Sequence, residues 1–315
     1  MDVVLHAVQS VLSIVVMIAL GYYLTRRGMF NEGVSKLFSS LVVNVSLPAM
    51  MISSLLTAFD REKLYSAGTG IFIPFAAMLI CYLAAIPIAV LIKVRPERRG
   101  VFHAMFFASN TIFMGMPVNL ALFGEQSTPY VLFYYAANTT LFWTIGMYGI
   151  SKDRKGCDDR VIGMDTLKRI FSPPLLGFLA GLFLVLLGIQ LPSFIMDSCK
   201  YIGNLTTPLS LLFIGITFST ISIRDIRLDK DMAALLFGRF VLSPLVVYIL
   251  ALFIPMPSLM IKVFIIQSAM PVITQAAIAA RACEVDYHYA TVMVTITTIL
   301  SVLFIPVYMV LMSGI

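Results

Sequence analysis

Two groups of uncharged polar side chains interrupt an otherwise apolar chain. Asn110, Thr111 and Asn119 flank Pro117, and Gln267, Ser268, Thr274 and Gln275 flank Pro271. The prolines sit in matching tripeptides, Met116-Pro117-Val118 and Met270-Pro271-Val272, 154 positions apart. A proline deep in a helix removes a backbone donor and clashes with the turn before it. The helix that restarts exposes unpaired N–H groups carrying about half a positive elementary charge. Two such starts converging can hold an anion without lysine or arginine, and none of the 22 basic residues stands near either proline in the sequence. The expected ligand is therefore a carboxylate near the second half-helices after Pro117 and Pro271. Asn110, Asn119, Gln267 and Gln275 are its hydrogen-bond partners, with Thr111, Val118, Val272 and Thr274 in the same neighbourhood. Gly115 permits close backbone approach, and Phe113, Met114, Met116 and Met270 supply adaptable walls. These walls do not separate an aromatic acid from a dicarboxylate. The competing reading of each amide is glue between helices, worth about 0.6 kcal/mol per bond. For Asn110 and Gln267 the nearby prolines favour the polar cavity, because freed backbone groups in lipid need protein or water to satisfy them.

The elements that must position these groups are membrane helices. Hydrophobic residues make up 60% of the 315 and charged residues 12%, with a mean hydropathy of +0.96. An apolar run of about 20 residues spans a bilayer core. Ten such runs are present, at about 3–24, 34–56, 67–92, 101–123, 129–150, 173–190, 194–220, 232–254, 258–280 and 288–312. The longest polar connection, 151–170, reads as a tether. Met1-Asp2 lacks the basic start of a signal peptide, so the first run is expected to be a retained span. The net charge of +6 does not point to nucleic acid, because the basic residues are scattered through short loops. With both termini outside, 17 of the 22 fall on the cytoplasmic side, and only Arg61, Lys63, Lys200 and Lys262 fall on the other, as the positive-inside rule requires. Arg239 lies within the eighth span, where snorkelling to the interface is the simplest account.

Several chemistries are excluded. Cys81, Cys157, Cys199 and Cys283 have no ligand spacing, so neither a metal nor another cofactor is implied. No His-Glu-x-x-His or Gly-x-Ser-x-Gly string occurs, and an enzyme would need such a clustered set. No carboxylate stands near the proline breaks, which speaks against a carboxylate-based proton or sodium site.

Ten spans divide into two fives, and an odd number per half inverts the second half in the membrane. The halves are 1–150 and 171–315, joined by a cytoplasmic linker, 151–170. Asn44-Val-Ser46-Leu-Pro48 and Asn204-Leu-Thr206-Thr-Pro208 match at an offset of 160, and Thr139-Thr140 and Thr297-Thr298 at 158. Asn44 and Asn204 either line the cavity or satisfy carbonyls freed by Pro48 and Pro208. Interrupted segments at corresponding places in two halves are the mark of a secondary transporter's binding site.

Asn110-Thr-Ile-Phe-Met-Gly-Met-Pro117 followed by Leu122-Phe-Gly124, and Gln267-Ser-Ala-Met-Pro271 followed by Ala279-Ala-Arg281, closely resemble the auxin efflux carrier family over nearly the full chain. The short central loop resembles its prokaryotic branch. The resemblance implies an all-α integral membrane fold of ten transmembrane helices in two inverted five-helix repeats, similar to NhaA and the bile-acid symporters. It implies that spans four and nine are unwound at their prolines and cross. It further implies an organic anion carried by an elevator-type exchange of access, a homodimer, and a place in the cytoplasmic membrane of a bacterium. A sodium- or proton-coupled symporter of the bile-acid type, or a sensor built on a transporter fold, stays open beside this.

Overall fold

The computed structural model describes residues 2–62, 64, 70–153, 171–219 and 229–312. Residues 154–170 of the expected linker lie outside that set, as do Lys63, Arg224 and Arg227 from the charge count. Every named element among the described residues is helical. Among the described residues, five helices are long and apolar enough to cross a membrane: Glu32–Ala58, Phe72–Leu91, Ser193–Ser219, Lys230–Phe253 and Tyr287–Leu311. Shorter apolar helices include Thr111–Phe123, Pro173–Leu187 and Ser258–Ser268. Large apolar side chains such as Leu83, Phe183, Leu252 and Phe253 are exposed, as suits contact with acyl chains rather than water.

Prolines shape these helices in a consistent way. Pro48, Pro117 and Pro244 each stand two residues after a π-helical turn, at Val42–Ser46, Thr111–Gly115 and Gly238–Leu242. A proline has no N–H for the carbonyl four residues back, and a widened turn absorbs the misfit without ending the helix. Pro244 leaves the Phe240 carbonyl without its helical donor, and the Tyr308 hydroxyl donates to it instead. This corrects two expected breaks: at Pro48 and Pro117 the helix is widened and continues. Pro208 is also not itself a break. The chain turns at Asn204–Leu205, and Pro208 sits in the first turn of the helix Thr206–Ser219, where a missing N–H costs little. Of the four, only Pro271 lies in an unwound stretch.

The helices group into two compact units. The first comprises Met1–Thr69, Ile112–Leu132 and Phe171–Ile221. Its helices approach closely at small residues: a Cβ on Gly215 would be driven into the backbone of Ile18 and Tyr22. Within it Ser46 Oγ lies 2.6 Å from Thr206 Oγ1 and donates to the Ile202 carbonyl at 2.8 Å. The hydroxyl residues that precede the matched prolines thus meet each other.

The second unit comprises Gly70–Thr111, Phe133–Ile170 and Ser222–Ile315. Phe102, Phe106, Phe107, Phe133, Tyr134, Phe142 and Phe264 form its buried aromatic centre. At one end Arg98 lies 3.1 Å from Asp286 and 3.5 Å from both Asp229 and Asp231, with its guanidinium over the Tyr289 ring. Asp153 accepts from the backbone N–H groups of Gly100 and Val101, at the start of the helix Arg99–Phe107. Burial pushes its carboxyl up to about 6 from an ordinary 3.8, and these N–H bonds offset only part of that. A group that holds its proton more tightly when folded stabilises the fold below its unfolded pKa and loses that contribution as pH rises. The unfolding midpoint of the detergent-purified protein is therefore expected to fall between about pH 4 and pH 6. Asp153→Asn flattens that segment of the thermal-shift profile.

Candidate functional site: two interrupted helices paired back to back

The helix Arg99–Phe107 stops, residues 108–110 are extended, and a helix restarts at Thr111. The helix Ser258–Ser268 stops likewise, 269–274 are unwound, and a helix restarts at Gln275. The two unwound stretches pair as an antiparallel bridge, Ser109 opposite Val272. Asn110 N–H donates to the Pro271 carbonyl at 2.8 Å, and Ile273 N–H to the Ala108 carbonyl at 3.2 Å. This is the wide pair of an antiparallel ladder, in which the opposed residues aim their own N–H and C=O away from each other. Buried backbone groups must find partners, and helices nearby supply them. Asn138 closes on Ser109 from both sides, its Oδ1 accepting from Ser109 N–H at 2.9 Å and its Nδ2 donating to Ser109 C=O at 3.0 Å. Thr297 Oγ1 accepts from Val272 N–H at 3.2 Å. Pro271 has no N–H to satisfy, which suits this position.

Two helix ends remain, each with carbonyls that have no intrahelical donor. Arg239 serves both. Its Nη1 donates to the carbonyls of Phe106 and Phe107 at 3.3 and 3.0 Å, and its Nη2 to those of Ser268 and Met270 at 2.7 and 3.0 Å. The side chain is 0% exposed. Snorkelling is therefore overturned: the guanidinium turns inward, because two carbonyl-rich helix ends offer more than a distant interface. The expectation of a site far from every basic residue falls with it. Gly238 makes this possible, since a Cβ there would be driven into the fully buried Phe106 ring. Gly238→Ala is expected to cost about 1–3 kcal/mol by overpacking and to shift Arg239, lowering the unfolding midpoint.

The side chains expected at the site divide into three sets. Asn110, Thr111, Gln267, Pro271, Val272 and Thr274 come together at the bridge. Asn110 Nδ2 donates to Thr274 Oγ1 at 3.1 Å, and Gln267 Nε2 to the Thr111 carbonyl at 3.3 Å. Gln267 is wholly buried, with Oε1 unpartnered, and Gln275 follows at the restart, half-buried. Gly115, Pro117, Val118 and Asn119 lie farther along the helix Thr111–Phe123, all buried. There Asn119 Nδ2 donates to the Gly115 carbonyl at 2.7 Å, leaving its buried Oδ1 without a partner. Asn44 and Asn204 are exposed, and Asn44 Nδ2 is bonded to Ser40 Oγ on its own helix. The sequence reading missed Asn138, Arg239 and Ser109. A lone charge deep in an apolar span was the available signal for Arg239.

The chain matches the family described as "Membrane transport protein" over residues 6–309. It is 26% identical over 313 residues to an uncharacterized transporter of Methanothermobacter thermautotrophicus, covering 96% of this chain and 98% of that one. It is 24% identical over 305 residues to an uncharacterized transporter of Methanocaldococcus jannaschii, covering 95% and 96%. To the uncharacterized transporter YfdV of Escherichia coli K12 it is 21% identical over 266 residues, covering 83% of each. With a family match along nearly its whole length and helices apolar enough to cross a bilayer, the chain is an integral membrane protein and belongs to the membrane transport proteins of the auxin efflux carrier family.

Proposed function

We propose that this transporter carries a small organic anion across the membrane, its carboxylate docking where the two helices restart. One observation carries the reading: the bridge at Ser109 and Val272 brings the restarts at Thr111 and Gln275 together, linked by Asn110 and Thr274. The carbonyl ends of the broken helices already have Arg239. At the restarts Thr111 N–H donates to the Ser109 carbonyl and Ala276 and Ala277 N–H to those of Ile273 and Thr274, so the positive partial charge of the two helix starts and the side chains beside them are what the ligand is proposed to meet. Asn110, Thr111, Gln267, Thr274 and Gln275 are the residues proposed to meet it, with Asn119 a further candidate farther along the helix. Asn44 and Asn204 drop out.

The architecture proposed beneath this is two inverted five-helix repeats, 1–150 and 171–315, both termini outside, in the cytoplasmic membrane as a homodimer. One matched pair, and one pair of similar role a position out of register, support the repeat. Ser46 and Thr206, 160 apart, touch as residues on a twofold axis do. Asn138 and Thr297 each brace the unwound residue of their own half. The exchange of access is proposed to follow an elevator-type cycle. The test is flux in proteoliposomes of labelled indole acids and small dicarboxylates. Saturable uptake of one of them is expected, and binding without net flux would make the chain a sensor instead.

A further inference from the structure

We infer that Arg239 is a resident cation of the crossing, filling with the chain's own charge the carbonyl cage in which a cation-coupled carrier would hold its ion. In broken-helix transporters, unwound carbonyls and half-helix C-terminal ends coordinate the coupling cation. Here four carbonyls from both broken helices converge, those of Phe106, Phe107, Ser268 and Met270, and a guanidinium occupies them. Each terminal nitrogen serves one helix. The charges also match: two helix ends bring about half a negative unit each, and arginine brings one positive unit. Among the described residues no carboxylate pairs with Arg239; its charged or ionisable neighbours are Tyr134, Cys81 and Tyr308. The guanidinium's partners are therefore the dipoles of the helices it joins. A covalently held ion cannot be exchanged, so the anion moves without sodium, and Arg239 positions the crossing without touching the substrate.

This deepens the carrier reading and rests on it only for the statement about flux. The decisive experiment measures unfolding midpoints of the full-length protein in detergent. Wild type, Arg239→Gln and Arg239→Lys are compared in choline chloride, sodium chloride, and choline chloride with millimolar guanidinium, far below denaturing levels. Wild type is expected to be indifferent to all three. Arg239→Gln, which keeps bulk but not charge, falls by about 5 °C or more in choline and recovers saturably with guanidinium. Arg239→Lys keeps the charge, lies closer to wild type and gains nothing from guanidinium. Stabilisation of wild type by sodium over choline at equal ionic strength overturns the inference. So does an Arg239→Gln midpoint that guanidinium leaves unmoved, or an Arg239→Lys protein no more stable than Arg239→Gln. If Arg239→Gln yields no folded protein, the sodium response of wild type and the Arg239→Lys guanidinium response decide. A chain that showed no flux of any acid would fail the carrier reading and leave these midpoints standing.

Discussion

Asn138→Leu is expected to be among the most damaging single substitutions in this protein, although the residue touches no candidate ligand contact. The leucine fits the space but leaves the N–H of Ser109 without its partner and removes one of two donors to the Ser109 carbonyl, the other being Thr111 N–H. A buried polar group stripped of its partner costs about 1–3 kcal/mol, so the substitution removes on the order of 2–4 kcal/mol in all. Water cannot substitute easily, because Ser109 and Asn138 are both almost wholly buried. Thr297→Val is the internal comparison, since it withdraws a single acceptor, the one for Val272 N–H. Its expected cost is about 1–2 kcal/mol. Thermal unfolding of both variants in one detergent gives the order, and equal midpoints would mean that the brace on Ser109 contributes nothing special.

The second large effect is on binding. Asn110→Asp keeps the size of the side chain but loses the Nδ2–H donated to Thr274 Oγ1 and places a negative charge where a carboxylate is proposed to dock. Affinity for the acid is expected to fall by more than about tenfold, or 1.4 kcal/mol. Asn110→Ala removes the donor without adding charge and falls less. Both are read by isothermal titration or by the ligand-induced rise in unfolding midpoint. If Asn110→Asp bound the acid as tightly as wild type, the anion would dock elsewhere.

Part of the bridge region could be read from residue types, and the exceptions have physical causes. Pro271 reads directly as an interruption and is one, because its neighbours on both sides are unwound. Asn110 stands beside the bridge, its N–H on the Pro271 carbonyl. Pro117 misled: the tripeptide match at 154 pairs a proline inside a widened helix with a proline inside a break. The unwound residues that pair are Ser109 and Val272, and nothing in Ala108-Ser109-Asn110 forbids a helix locally. That break exists because Asn138, 29 residues on, and Arg239, about 130 on, satisfy what the helix gives up. Such partners are invisible to local reading. Arg239 itself was visible as a charge in an apolar run, but its direction depended on Gly238 admitting Phe106 beside it.

Paired helix restarts are expected to favour a carboxylate over a neutral group of the same shape, because only the carboxylate carries a charge opposite to theirs. The most direct measurement is the unfolding midpoint of wild type titrated with indole-3-acetic acid against indole-3-acetamide, and with malic acid against its diamide. A ligand at a hundredfold excess over its dissociation constant stabilises by about 2.7 kcal/mol, which is readily resolved. At neutral pH one of the two acids is predicted to raise the midpoint saturably while its amide leaves it unmoved. An amide that stabilises as well as its acid would contradict the account.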